Sequence, residues 1–316
     1  MPTTRSKRSS FLAGAAALTF SPSSPAAAAG DLAPIAIGTL PSAADAVVNY
    51  AYDNGYFKDA GLDANISLMN NGNVIWNAVL GRSLDIGAGN IGSLAVARSR
   101  GIPLRVIAPA AMATSSTPLG FILVRKGSPI RTGIDFNNKM VATVAIKTAG
   151  EAIFRAWVDK TGGDSKTVRY IEIPYPAMAE AVDAGRADAA LIIDPFTIMA
   201  REKNTILPTN YYTGLRLPYL VTCFVAAEPW LEANADTARK FARSIRRAAL
   251  WANGHAQESH VLLSRITKID PAIISEMSPI AFATTLEPAR IEPVLDAMMK
   301  YGLLDKRVDP KEMIWT

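Results

Sequence analysis

The sequence has 316 residues, of which 49% are hydrophobic and 19% charged, and its formal net charge at pH 7 is +5. Three of the basic residues and none of the acidic ones fall in the first thirty positions, which leaves 30 basic and 28 acidic residues and no case for a nucleic-acid-binding surface. A single cysteine excludes an intrachain disulfide, and two histidines leave few ligands for a metal site.

An export signal is predicted over residues 1–29. Basic residues within 5–8 precede a short apolar run over 11–20, and small residues before Gly30 are typical of a cleavage site, so we expect cleavage near Ala29. The apolar run is too short to span a bilayer. The general secretory and twin-arginine routes both stay open.

Strands and helices alternate from there to residue 110. Strands are predicted over 34–40, 63–70, 84–89 and 104–110, and helices over the segment ending near Gly55 and Gly61, over 74–81 and over 91–101. This alternation predicts a mostly parallel sheet that is covered by helices on both faces.

A polar stretch, 112–120, interrupts the alternation, which then restarts. Strands are predicted over 121–130, 139–147, 168–174 and 189–194, with helices over 149–163 and 177–185. An apolar segment, 218–230, follows, and the remainder is helical, including a long helix over 236–256 and a last helix with an apolar stripe of Ile291, Val294, Leu295 and Met298. The fold class predicted is α/β with two lobes.

One helix-to-strand corner occurs twice, as AVLGRSLD (78–85) and AVDAGRAD (181–188). We expect Gly81 and Gly185 to end the helices, and Asp85 and Asp188 to lie beside the start of the following strand. Chance recurrence is the alternative interpretation. Together with the restarted alternation, the repeat favours two lobes of similar design.

Gly87, Gly89 and Gly92 spell the dinucleotide pattern G-x-G-x-x-G, but no acidic residue occurs between Asp85 and Asp135 to bind a ribose. We therefore interpret the glycines as allowing a ligand to approach the backbone. Asn90 or Ser93 would then present a polar group at a helix N-terminus, where an anion is favoured.

Polar residues follow several of the predicted strands at their carboxyl ends, where open α/β sheets bind ligands. They are Ser42, Asp45, Thr114 to Thr117, Thr148 and Asp194. Thr148 with Glu151 also has the spacing of a capping box, which is the plain structural alternative for this pair. Taken together, these positions predict a cleft that is lined from both lobes.

Catalytic candidates are few. His255 and His260 are expected on the surface and Cys223 in the core, and no nucleophile motif such as G-x-S-x-G is present. The chain is therefore predicted not to be an enzyme and to need no cofactor.

Six segments together carry a family resemblance, because they occur in order along the chain. They are NGYFKDAGLDANI, GRSLDIGAGN, GIPLRVIAPA, ILVRKGSPI, AEAVDAGRADAALIIDPF and KYGLL. The sequence resembles the periplasmic substrate-binding proteins of ABC importers, in the group for nitrate, alkanesulfonates and taurine, which is also similar to thiamine-pyrimidine-synthesis proteins.

The resemblance implies a type II periplasmic-binding-protein fold with two crossover segments, in which 30–113 and 222–316 form lobe 1 and 114–221 forms lobe 2. Ligand contacts carried over by position are Ser42, Asn90, Ser115, Thr148 and Asp194. Tyr219, near the second crossover, is a candidate aromatic wall, with a core role as its alternative.

The function implied is that of a monomeric periplasmic receptor, with a membrane permease and an ATPase as partners and no nucleic acid. The ligand expected is a small organic anion or zwitterion such as an alkanesulfonate or taurine. Asp194 would repel an anion unless it faces away or binds an amino group, and Lys147 is the nearest cation. A thiamine-pyrimidine-related binding protein or enzyme, and a sensor or adaptor of the same fold, are the alternatives.

Overall fold

The computed structural model describes residues 32–69 and 72–316, so the export signal predicted over 1–29 lies outside the described residues. None of the helices in the described ranges is long and apolar enough to cross a membrane.

The strands, in chain order, are β1 (Ala33–Thr39), β2 (Leu62–Leu68), β3 (Ile86–Asn90), β4 (Leu104–Pro109), β5 (Met112–Ala113), β6 (Phe121–Arg125), β7 (Met140–Thr143), β8 (Arg169–Glu172), β9 (Ala189–Ile192), β10 (Asn204–Ile206), β11 (Tyr219–Leu220) and β12 (Thr222–Ala227).

The α-helices are α1 (Val47–Asp53), α2 (Tyr56–Asp59), α3 (Gly72–Leu80), α4 (Ile91–Ser99), α5 (Ala149–Lys160), α6 (Tyr175–Asp183), α7 (Phe196–Ala200), α8 (Glu228–Ala233), α9 (Ala235–Gly254), α10 (Ala256–Thr267), α11 (Pro271–Ser275), α12 (Glu292–Lys300) and α13 (Pro310–Met313). Short 3₁₀ turns cover Ala43–Asp45, Gly133–Phe136, Tyr211–Gly214 and Pro288–Arg290.

Two five-stranded sheets share one strand order. The first sheet runs β2-β1-β3-β12-β4 and the second runs β8-β7-β9-β6-β10. In each sheet one strand, β12 or β6, pairs antiparallel with both of its neighbours, while the other strands share a single direction. The prediction of two mostly parallel sheets flanked by helices is confirmed.

The reversed strand follows from how the chain enters each sheet. β6 and β12 both come directly after a segment that arrives from the other sheet, and β5 and β11 on these segments pair antiparallel, with Tyr219 opposite Ala113. A chain that enters at the edge where the parallel strands end must run back against them. Both sheets therefore turn the carboxyl ends of their parallel strands toward the crossing segments.

Amphipathic helices cover the sheets because their apolar residues recur at helical spacing. In α9 the buried side chains include Ala238, Phe241 and Ile245, and the Phe241 ring stacks on that of Phe57 with centroids 5.6 Å apart. The predicted stripe of the last helix is confirmed, since Ile291 and the stripe residues of α12 are fully buried.

Several predicted elements differ from the structure in their bounds; the strand expected over 121–130, for example, ends at Arg125. The strand expected over 139–147 ends at Thr143, and an irregular segment leads from there to α5. The apolar segment 218–230 divides into β11, β12 and α8. Continuous apolar runs fit strands and buried helices equally well, so their internal boundaries are weakly marked in the sequence.

The repeated corner is present in both sheets with the same hydrogen bonds. The Asp85 backbone N–H donates to the Ala36 carbonyl at 2.9 Å, and the Asp85 carboxylate accepts the Ala36 N–H at 2.8 Å. Asp188 makes the same two bonds with Met140, both at 2.8 Å. Each aspartate thus extends the pairing of its strand by one residue, at the sheet edge opposite the crossing segments.

In the two corners, the left-handed residue occupies different positions of the Gly-Arg pair. The left-handed residue is Arg82 in the first corner, with φ 61°, and Gly185 in the second, with φ 73°. Each lies three residues before its aspartate. Gly81 follows the last residue of α3 but is not left-handed, so the expected equivalence of Gly81 and Gly185 is corrected: Arg82 is the counterpart of Gly185.

The left-handed backbone at Arg82 and Gly185 leads to a prediction about stability. Because a Cβ atom is unfavourable at left-handed φ, Gly185→Ala should lower the free energy of unfolding by about 1 kcal/mol, and Arg82→Gly should raise it by up to about 1 kcal/mol. Urea unfolding of the purified variants measures both changes. Arg82→Ala is the control, since it removes the exposed side chain but keeps Cβ; a gain equal to that of Arg82→Gly would contradict the strain argument.

Candidate functional site

The N-termini of α4 and α5 meet where the two sheets face each other. Asn90 ends β3 and caps α4, its side-chain oxygen accepting the Gly92 N–H at 2.9 Å. A Cβ atom built on Gly92 would lie 2.7 Å from the Ala149 Cβ and 2.8 Å from the Ala149 nitrogen. Only glycine fits this close approach, so the contact brings the backbones of the two halves together.

The glycines of β3 pack against α3 instead of opening a path for a ligand. A Cβ on Gly87 would lie 2.6 Å from Ile75, and one on Gly89 would lie 2.4 Å from the Trp76 ring. The Trp76 indole N–H donates to the Ala88 carbonyl at 3.0 Å, which fixes the ring over the strand. The interpretation of these glycines as a ligand approach is therefore wrong.

Asp45 is a buried carboxyl group in the turn after β1. The residue is 3% exposed; Oδ2 accepts the Ser42 hydroxyl at 2.8 Å, and Oδ1 has no hydrogen-bond partner in the described part of the chain. Burial raises the pKa of Asp45 to about 6, although the hydroxyls of Ser42 and Thr222 partly offset the increase. Thr222, which begins β12, donates its hydroxyl to the Ala44 carbonyl at 3.2 Å, so β12 lies against the turn that carries Asp45.

Asp194 is the corresponding buried carboxyl group of the second sheet. It follows β9, is 6% exposed and has an Oδ1 atom without a partner. Burial raises the pKa of Asp194, and the Thr197 hydroxyl, the Arg201 charge and the Ser278 backbone N–H act in the opposite direction. Ser278 lies beyond β12 in the chain, so Asp194 faces the part of the molecule that follows the second crossing.

A third unpartnered group is at the end of β1. Thr39, the last residue of this strand, is fully buried, and its hydroxyl oxygen has no hydrogen-bond partner among residues 32–69 and 72–316. Buried polar atoms in folded proteins are nearly always paired with protein, water or ligand. Thr39, Asp45 and Asp194 all end or follow strands at the facing edges, which marks this region as a place for a polar molecule.

Tyr175 and Phe196 form an aromatic pair at the same edge. Each begins a helix of the second sheet, and their half-buried rings stack with centroids 5.7 Å apart and planes 17° apart. Burial raises the pKa of Tyr175, with further contributions from Tyr212 and from the Asp45 charge. The Asp45 charge therefore acts on a hydroxyl group of the other sheet.

Sequence analysis missed this pair. The available signal was a Pro-aromatic dipeptide one or two residues after a strand, which occurs as Pro174-Tyr175 after β8 and Pro195-Phe196 after β9. Such dipeptides are common in loops, and only the fold shows that β8 and β9 lie in one sheet, on either side of β7.

The predicted contacts of the first sheet fall at the facing edge. Ser42 is buried and donates to Asp45, Asn90 caps α4, and Ser93 lies half-buried in the first turn of that helix. Since the Asn90 oxygen already accepts a hydrogen bond from Gly92, only its amide N–H groups remain for a ligand.

The predicted ligand contacts from the crossing segments and the second sheet differ in how far they are exposed. Ser115 is exposed and Thr148 is half-buried, with its hydroxyl donating to the Ala145 carbonyl at 3.2 Å. Tyr219 is fully buried and donates to the Tyr212 carbonyl at 3.0 Å. The structure gives Tyr219 the core role, so its use as an aromatic wall is corrected.

The expected capping box of α5 does not form. The Thr148 hydroxyl turns back to Ala145, and the Glu151 carboxylate accepts the Lys147 backbone N–H at 2.8 Å while it pairs with Arg155, also at 2.8 Å. Lys147 has φ 56° and an exposed side chain. Because the backbone of Lys147 is left-handed, the Glu151 carboxylate bonds the N–H of Lys147. A capping box would require the N–H of Thr148, one residue later.

The candidate nucleophile and bases lie apart from one another. Cys223 is fully buried and burial raises the pKa of its thiol, as expected of a core residue. His255 is exposed and stacks on Trp251 at 5.3 Å. His260, expected on the surface, is half-buried beside Ser259 in a cavity of about 20 Å³, and burial lowers its pKa.

The arrangement supports recognition by hydrogen bonds. It offers carboxyl oxygens, hydroxyl groups and an aromatic pair, and no group of three or more potential metal ligands occurs in the described ranges 32–69 and 72–316.

Comparisons with known proteins agree with this fold. A family model described as "NMT1/THI5 like" matches residues 45–259. The chain is similar to a binding protein of Brucella abortus, 21% identical with 97% of each chain covered, and to the formylaminopyrimidine-binding protein of Halalkalibacterium halodurans, 22% identical with 78% of this chain and 74% of that one covered. The crystal structure of the periplasmic aliphatic sulphonate-binding protein of Escherichia coli superposes with a TM-score of 0.71 at 17% identity, over 90% of this chain and 92% of that one. This likeness shows the two-lobed fold of periplasmic binding proteins.

The raised pKa of Asp45 predicts a pH-dependent stability. Its native value of about 6 exceeds the ordinary 3.8, so the folded protein holds a proton that the unfolded chain has lost, and the free energy of unfolding falls as pH rises through this window. Asp45→Asn removes the cost of burying the charge. The difference in free energy of unfolding between Asp45→Asn and wild type should therefore increase by about 2–3 kcal/mol from about pH 4 to about pH 7. Urea unfolding at each pH measures this difference.

The matched control is Asp63→Asn, which changes an exposed carboxylate in β2. Its stability difference from wild type should stay constant over the same pH range. Equal pH profiles for Asp45→Asn and Asp63→Asn would contradict the buried, shifted carboxyl at Asp45.

Proposed function

The chain belongs to the NMT1/THI5-like family, and from this premise we propose that it is the solute-binding component of an ABC-type importer. It captures a small organic anion or zwitterion between its two sheets and delivers it to a membrane permease with an associated ATPase. It acts in the periplasm as a monomer and does not alter its ligand.

The observation that carries the proposal is the set of unpaired polar groups on the facing edges of the sheets. Asp45 and Thr39 come from the first sheet and Asp194 from the second, and each has a buried oxygen without a partner. Leaving such atoms unpaired destabilises a folded protein. A ligand that pairs them stabilises the form in which both sheets contact it.

We propose that residues 30–113 and 222–316 form lobe 1 and that 114–221 form lobe 2. In support, the first sheet takes its strands from 33–109 and 222–227, and the second from 121–206. Helix α12 also contacts the second sheet's α5, where the Tyr301 hydroxyl donates to Asp159 at 2.8 Å. This contact makes α12 a link between the lobes.

Closure of the lobes follows from linkage. A ligand that touches both lobes only when they are together shifts the population toward that state. Three contacts support a closed arrangement here: the approach of Gly92 to Ala149, the burial of Ile198 in one apolar cluster with Met277, and the exposed Arg201–Glu276 ion pair at 3.3 Å. The exposed pair adds little energy by itself, so the Gly92–Ala149 approach and the burial of Ile198 contribute more to this arrangement than the ion pair does.

A second candidate ligand class is a pyrimidine. The stacked, half-buried rings of Tyr175 and Phe196 favour a flat aromatic molecule, and one relative is named for binding formylaminopyrimidine. The proposed receptor function is the same whether the ligand is an organic anion or zwitterion or a pyrimidine. A ligand screen distinguishes these two ligand classes.

A thermal-shift screen of the ligand-stripped protein tests the receptor function. The panel contains taurine, alkanesulfonates, aromatic sulfonates, nitrate and aminopyrimidines. A ligand at about a hundred times its dissociation constant stabilises the folded state by about 2.7 kcal/mol, which raises the melting temperature by several degrees. Turnover of a panel member without any shift would overturn the receptor proposal in favour of an enzyme.

A substitution at the contact between the helices tests closure. Gly92→Val places atoms where Ala149 and Met298 already lie, so we expect a larger radius of gyration in solution scattering and at least tenfold weaker binding of the ligand found in the screen. Gly150→Ala is the control, because a Cβ there meets nothing closer than 3.6 Å. Equal affinity of the two variants would show that the helices need not meet.

A further inference from the structure

We propose that the ligand presents N–H donors to the carboxyl groups of Asp45 and Asp194, on opposite walls of the cleft. The inference rests on the proposed function and narrows its ligand class. The solute is then an organic cation, a zwitterion with an ammonium group or a nitrogen-rich ring, and simple anions such as nitrate or an amine-free sulfonate are rejected.

The two carboxyl groups come from different sheets, and each follows a parallel strand at the end that its sheet turns toward the crossing segments. Asp45 lies in the turn after β1. Asp194, after β9, is near the Ser278 backbone N–H beyond β12. Each side chain is more than nine-tenths buried, and each leaves Oδ1 without a partner. A solute between the sheets can therefore reach a free carboxyl oxygen on either side.

Positive side chains do not balance these carboxyls. Lys147 is exposed, and Arg201, whose charge acts on Asp194, is itself half exposed in its ion pair with Glu276. Arg155 is held by Glu151. Buried carboxylates in proteins are normally paired with a cation or several hydrogen-bond donors. In this cleft the missing donors are left to the solute.

Several donors that an anion would use are already paired. The Gly92 N–H at the start of α4 donates to Asn90, the Thr148 hydroxyl at the start of α5 donates to Ala145, and the Ser42 hydroxyl donates to Asp45. A sulfonate or nitrate placed here would find the Asn90 amide N–H groups as donors, but it would also meet two acidic groups. The cleft therefore favours a ligand rich in donors over one rich in acceptors.

The aromatic pair agrees with this polarity. The negative face of an aromatic ring attracts cations, and Tyr175 and Phe196 stack within the same edge as the two carboxyls. An ammonium group or a protonated ring nitrogen would be stabilised by both features, whereas an anion would be stabilised by neither.

Matched pairs of compounds that differ in one amino group test the inference. Taurine is compared with ethanesulfonate, β-alanine with propionate, and 4-aminopyrimidine with pyrimidine, by thermal shift and calorimetry on the ligand-stripped protein. We expect the amine to improve binding by about 10–100-fold in any pair that binds, the range for hydrogen bonds to charged groups. An amine-free member that binds as tightly as its partner would overturn the inference.

Asp45→Asn and Asp194→Asn give an independent test, each against the Asp63→Asn control. Each cleft variant should lower the preference for the amine-bearing member at least tenfold, and the control should not change it. An unchanged preference in both cleft variants would overturn the inference while leaving the receptor function in place. Failure of every compound, including the sulfonates and nitrate, to bind the wild-type protein would count against the proposed function itself.

Discussion

The chain passes between its two sheets twice, and this constraint determines the rest of the structure. Each passage enters a sheet at the edge where the parallel strands end, so the entering strand, β6 or β12, runs against its neighbours. The carboxyl ends of both sheets then face the same crossing segments. The strand ends of both sheets are thereby brought toward one region, which is why we propose a single site for residues as distant in sequence as Asp45 and Asp194.

The buried carboxyl groups differ from what the name of the sulphonate-binding neighbour suggests. Carboxyl groups that are buried without a full set of donors reduce stability, and Asp45 shows this by its pKa of about 6. Proteins retain such costs where recognition depends on them. The carboxyl groups that destabilise the empty protein are available to bind a solute with hydrogen-bond donors. Their charge therefore gives information about the ligand that the fold alone does not give.

Much of the fold is readable from the sequence, because strand and helix alternation and the two Ala-Val to Asp corners depend on local periodicity. The polar strand ends Ser42, Asn90 and Asp194 were also readable, since position after a strand is a local property. The contacts of the glycines in β3 were not readable from the sequence. Only the packing of Trp76 in the structure shows that the space beside these glycines is filled. The Tyr175–Phe196 pair likewise depends on β8 and β9 lying in one sheet, which is information about long-range pairing that single residues do not carry.

The contact between Gly92 and Ala149 is made by backbone and Cβ atoms, which have no alternative rotamers and yield little under compression. Such a contact acts as a mechanical stop. In the proposed receptor, this stop sets how closely the two carboxyl groups can approach each other. A solute shorter than that gap is not gripped by further movement, and a longer one prevents the stop from being reached, so the proposed site selects its solute by size as well as by charge.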